Sequence, residues 1–205
     1  MRSKAFGLCL LAAAAVLALG SAPKASAYRI LYAEQYYRLY HLHFYQYPDD
    51  SMENIYYLER ALEADFANPL YALARVDTPD QWAQYRSLFK MHVNLKLVEL
   101  YLTLGSKYDK QAAYFYNAPW RDQNLESLEL AEQVYRLAVG YWEQARSWAF
   151  RLPRLYFNLE EVQAWEDQRA RILSGDLDYG RIIDAHLSRL QRVRREFESM
   201  DENTY

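Results

Sequence analysis

Cysteine is all but absent from this 205-residue chain: Cys9 is the only one. Beyond position 9 no disulfide and no thiolate metal site can form, so the domain must be held by packing. Glycine and proline number only 6 each, and Val, Ile and Thr are sparse. Few breakers and few β-branched residues, among abundant Leu, Ala, Glu, Gln and Arg, favour helix over sheet. A long apolar run occurs once, Phe6 to Leu19. Nothing after it approaches the roughly 18 residues that span a bilayer. G-x-S-x-G, H-E-x-x-H, P-loop and dinucleotide patterns are all missing.

What is present begins with that apolar run. Arg2 and Lys4 precede it, and small residues follow it to Ala25-Ser26-Ala27, the pattern after which a signal peptidase cuts. The expectation is a cleaved leader over 1–27 and a periplasmic or secreted protein starting at Tyr28. Too few apolar residues precede Cys9 for it to serve as a lipid-attachment site. The remaining 178 residues suit one domain, expected over 28–200, with a polar tail at 201–205. They carry 21 basic and 27 acidic residues, a net of −6, which opposes general nucleic-acid binding.

Helical periodicity predicts an all-α fold of eight or nine helices in antiparallel hairpins. The first is expected over Tyr28 to Tyr47, ended by Pro48-Asp49-Asp50-Ser51, which caps the second, to about Asp65. A short helix from Pro69 to Val76 follows. Thr78-Pro79-Asp80-Gln81 has the residues of a capping box. It opens a helix whose stripe, Trp82, Tyr85, Leu88, Phe89, His92, Leu95, Val98 and Leu102, ends at Gly105. Tyr108 to Asn117 reads as a shorter helix, and Asp122 to Leu152 as the longest, with Gly140 a place for a bend. Asn158 to Glu161 resembles a second capping box for a helix to Leu173. The last helix starts near Asp178 and bears Ile183, His186, Leu190, Val193 and Phe197.

Ala131, Tyr135 and Ala138 stand at the spacing with which small and aromatic residues seat the second helix of a tetratricopeptide repeat. Leu58, Ala61, Leu62 and Asn68-Pro69 resemble the end of one repeat and the start of the next. Leu104-Gly105, Tyr108, Ala112 and Phe115 resemble the centre of another, with Ala112 one place late. The chain thus resembles a degenerate tetratricopeptide array over about residues 51 to 150. The alternative is an irregular helical bundle. An exported, tyrosine-rich protein of this kind is also similar to the periplasmic collar proteins of spirochaete flagellar motors. That likeness implies a structural subunit of a periplasmic assembly.

His41 and His43 are two apart and point to different sides of a helix, while His92 and His186 lie on apolar stripes; neither set predicts a metal site. Asp176, Asp178 and Gly180 echo a calcium loop but lack its other ligands, so helix capping is the expected role. No nucleophile, base and orienting group can be named together, and neither an enzyme nor a cofactor is expected. The surplus lies in the aromatics. Tyr36-Tyr37 and Tyr56-Tyr57 are adjacent pairs, so one ring of each is expected inward and one outward. Tyr141, Trp142 and Trp148 are spread around one helix. With Arg192 and Arg195 of the basic cluster, these are the candidate partner-binding residues. The functional expectation is a protein–protein interaction module, an adaptor or structural subunit binding other exported proteins. The alternative is a carrier enclosing a small ligand in an aromatic-lined pocket.

Overall fold

Three of the α-helices begin where a side chain offers an acceptor to their first amides. The computed structural model describes residues 29–151, 157–201, 203 and 204; the leader, its cleavage point and Tyr28 lie outside them. The chain divides after Ile30, and Leu31–Tyr205 is one unit. Within it, six α-helices are described: α1 (Ala33–Gln46), α2 (Ser51–Glu63), α3 (Pro79–Tyr108), α4 (Arg121–Arg151), α5 (Gln163–Ser174) and α6 (Tyr179–Glu198). No strand occurs among the described residues, and the fold is an all-α helical bundle.

Asp50 caps α2 by accepting from the Glu53 N–H at 3.2 Å. At α3 the box closes in both directions: Thr78 Oγ1 accepts from the Gln81 N–H, and Gln81 Oε1 accepts from the Thr78 N–H. Asp178 caps α6 through the Arg181 N–H, the role expected of it in place of calcium binding. Gly175, at φ 82°, ends α5 in the left-handed conformation that glycine adopts without a steric penalty.

Several expected elements differ: α1 starts only at Ala33, since residues 29–32 are not helical. The short third helix is only a 3₁₀ turn, Pro69–Tyr71, with Asn68 accepting from the Leu70 N–H. The helix expected over Tyr108 to Asn117 is replaced by an irregular link and a 3₁₀ stretch, Phe115–Trp120. Asn158 to Glu161 does not form a capping box: a 3₁₀ turn, Glu160–Val162, leads into α5, and the Leu159 N–H donates to Glu166 Oε1. Gly105 does not end α3 either. It is buried inside the helix, where a Cβ would collide with the ring of Tyr135. Its missing side chain serves a close approach between helices, offsetting the roughly 1 kcal/mol that helical glycine costs relative to alanine.

The spine of the bundle is the α3–α4 pair. α3 carries buried residues around its circumference, from Met91 and Val93 to Leu97 and Tyr101, well beyond the single stripe expected. α4 runs unbroken past Gly140 and buries Leu128, Ala131, Tyr135, Ala138, Trp142, Ala145 and Ala149. These alternate in steps of three and four, a heptad seam in which alanines let the helices come close and rings fill the space between. The α1–α2 hairpin and α5 cover much of α3. α6 closes a second, smaller core of Leu190, Val193, Phe197 and Met200 against Leu128, Ala131 and Tyr135.

Candidate functional site

The first hairpin divides its rings between the interior and the surface. Tyr37 is 5 % exposed and belongs to the core, so it has almost no area to offer a partner. Tyr36 and Tyr57 are half-buried against the same core. Tyr56 faces out, with Arg60 held 5.6 Å over its ring. Around the hairpin tip Leu42, Tyr45, Tyr47 and Met52 are also exposed, and Tyr45 reaches 89 %. The sequence reading missed these four, although the i, i+4 spacing of Met52 and Tyr56 marks an outward face of α2.

The α4 candidates separate in the same way. Trp142 is a core residue at 5 % exposure, packing its ring edge-on to Tyr179 at 5.8 Å. It leaves the contact set for the same reason as Tyr37. Tyr141 stacks on Tyr101 at 5.3 Å, and both hydroxyls donate to Glu59 Oε1 at 2.7 Å. Burial, followed by this shared carboxylate, raises both phenol pKa values, so the trio ties α2, α3 and α4 together as a fixed polar joint. Trp148 is half-buried and borders a groove. Arg192 and Arg195 are exposed on α6, whereas their neighbours Arg189 and Arg194 are tied down by Asp109 and Glu132.

That groove, of about 910 Å³, lies open between the end of α2 with its following loop and the wall made by α3 and α4. Trp82 and Phe66 form an apolar part of it, edge to face at 5.7 Å. Arg86 lies 5.6 Å from the Trp82 centroid. Lys90 and Arg151 lie 5.2 and 3.7 Å from the Trp148 centroid. Trp82, Arg86 and Lys90 follow each other at i+4 steps and so share one face of α3, a signal present in the sequence but not used. A second open groove, of about 490 Å³, is lined by Glu126, Glu129 and Glu132 of α4 with Arg194 and Glu198 of α6.

Three of the other buried polar groups tie segments of the fold together. His92 accepts from the Tyr37 hydroxyl at Nε2 (2.8 Å) and donates from Nδ1 to Gln168 Oε1 (2.7 Å), since that carboxamide oxygen can only accept. It stacks on Trp165 at 4.9 Å, and burial pushes its pKa down to about 4. Asp109, just beyond α3, accepts from the Tyr135 hydroxyl at 2.9 Å and pairs with Arg189. Glu34 accepts from the Ala67 N–H, and burial raises its pKa. Among the described residues, no three His, Cys, Asp or Glu side chains gather where they could hold a metal ion. Nor is any helix there long and apolar enough to cross a membrane.

The chain belongs to a family described as a domain of unknown function, DUF8513, whose model matches residues 80–200. The match takes in α3 to α6, and with them Trp82, Arg86, Lys90 and Trp148, but not the α1–α2 hairpin. No curated protein and no solved structure matches the chain.

Proposed function

We propose that this member of the DUF8513 family is an exported protein–protein interaction module, an adaptor or structural subunit of a periplasmic assembly. The observation that carries the reading is the tip of the α1–α2 hairpin, where Leu42, Tyr45, Tyr47, Met52 and Tyr56 are all exposed. Scattered single apolar residues are normal on a surface, but a set of large ones around one turn is what a partner covers. Tyrosine suits such a role because it presents much area with little entropy to lose. The two grooves described above are open, the form expected of an adaptor; a carrier would enclose its ligand. The flagellar-collar resemblance offers one such assembly.

The test is affinity capture from the exporting cell with the parent protein and with Tyr45→Ala and Tyr56→Ala. Both variants are expected to melt like the parent and to lose a captured protein. Equal capture by all three would remove the hairpin tip from the interface. N-terminal sequencing of the exported protein is expected to begin at Tyr28, and retention of Met1 would reject the leader.

A further inference from the structure

We propose that the groove between Trp82 and Trp148 binds an extended, acidic peptide segment of a partner protein. The inference rests on reading the chain as a protein-binding module, but it uses different residues from the hairpin tip. Charge is the first argument. The whole chain carries a net charge of −3, yet Arg86 and Lys90 line this groove and Arg151 lies just beyond its lining, on the ring of Trp148; none of the three has a carboxylate within ion-pair distance among the described residues. Each instead sits over an indole. A cation held on a ring face is restrained while its N–H groups remain free to donate, and carboxylates are the natural acceptors.

Spacing is the second argument. Arg86 and Lys90 are one helical step of four residues apart, an axial separation of about 6 Å. Alternate side chains on one face of an extended chain are separated by about 6.6 Å. Acidic residues at positions i and i+2 of a bound segment would therefore meet Arg86 and Lys90 in turn. The intervening side chain faces the other way. Phe66, on the loop facing α3, offers it an apolar surface, favouring a leucine or an aromatic residue over a second acid. The opposite wall points to the same pattern. Glu63 is already paired with Arg60 at 2.7 Å, and Asp65 is exposed, so acidic groups would be repelled from that side and drawn to α3.

The experiment is fluorescence anisotropy with the full chain and a labelled synthetic peptide carrying Glu-Leu-Glu-Leu-Glu between Gly-Ser flanks. Saturable binding that weakens with added salt is expected, together with none to the Gln-Leu-Gln-Leu-Gln counterpart. The Arg86→Glu/Lys90→Glu double variant should bind at least about tenfold more weakly, and Arg86→Lys/Lys90→Arg should retain most of the affinity. Far-UV circular dichroism of both variants must match the parent. Equal binding of the glutamine peptide, or unchanged binding by the charge-reversed variant, overturns the proposal. Displacement of the peptide by millimolar inorganic phosphate would make this a small-anion site and likewise overturn it. Salt-sensitive self-association that the charge reversal abolishes would name a second copy as the occupant instead. A negative peptide result beside intact, tip-dependent capture discards the groove alone. Unchanged capture by the tip variants beside peptide binding discards the tip alone.

Discussion

In the α3–α4 pair Tyr85, Tyr101 and Tyr135 turn inward, and in the α1–α2 hairpin several tyrosines turn out. Tyr135 is fully buried in the seam, its ring against Gly105 and its hydroxyl on Asp109. Tyr45, the same residue type on a helix of similar polarity, is 89 % exposed. The family match covers the first region and omits the second. Side-chain identity therefore does not separate a buried ring from an exposed one in this molecule. What separates them is whether a second helix lies across that face, and α3 supplies one to Tyr135 while nothing described covers Tyr45.

The sharpest way to break this comparison is to delete both rings. Tyr135→Ala is expected to cost about 3–5 kcal/mol, since a large buried aromatic leaves a cavity and Asp109 loses a donor. Tyr45→Ala is expected to change stability by no more than about 0.5 kcal/mol, yet to weaken capture by about 2 kcal/mol if it is an interface anchor. Urea unfolding monitored by circular dichroism gives the first two figures, and titration against the captured partner gives the third. If the two variants unfold alike, the contrast between the regions is lost.

Acid should strain the contact between the two regions at His92, which takes the Tyr37 hydroxyl of the hairpin. Its pKa lies at about 4 in the folded state, against about 6.5 in an unfolded chain. The unfolded state thus binds the extra proton first. This contribution is complete above about pH 6.5 and is lost as the pH falls toward 4, by about 3 kcal/mol in all. His92→Leu should flatten the stability profile over that window, whatever its effect on absolute stability. A profile unchanged between parent and variant would show that another group controls the acid limb.

The seam itself is probed by Ala138→Leu and Gly105→Ala. Each adds atoms at a fully packed position of the seam, with an expected cost of about 1–3 kcal/mol. A like substitution at Gly140, where a Cβ would meet nothing within 4 Å, should stabilise slightly, by roughly 0.5–1 kcal/mol, because alanine is the better helix former. Thermal melts of the three variants rank them. A Gly105→Ala variant as stable as the parent would mean that Tyr135 has room to move.

Much of the helical content was legible from local chemistry. Thr78 with Gln81, Asp50, Asp178 and Gly175 mark helix ends because their effect is confined to the adjacent turn. The α6 stripe was legible because one face of that helix is buried and the other is wet. On α3 the periodicity found the helix and one buried stripe but not the rest of its buried surface, because between Leu88 and Tyr101 the helix is covered around its circumference and has little polar face to contrast with. Gly105 was misread because glycine has two uses, left-handed caps and close approach, and only the partner ring distinguishes them.

The amino-acid sequence by itself determined that this is an all-α protein without disulfides beyond residue 9, with capped helices and more aromatic surface than one helix face can hide. Those properties follow from composition and from contacts within a few residues, which any chain of this sequence makes. Only the tertiary structure decided which rings are hidden, that Glu59, His92 and Asp109 are joints between helices, and that Trp82 and Trp148 border one groove with three cations upon them. These residues lie far apart along the chain. Their meeting depends on how whole helices pack, a property of the summed interfaces that no local pattern encodes.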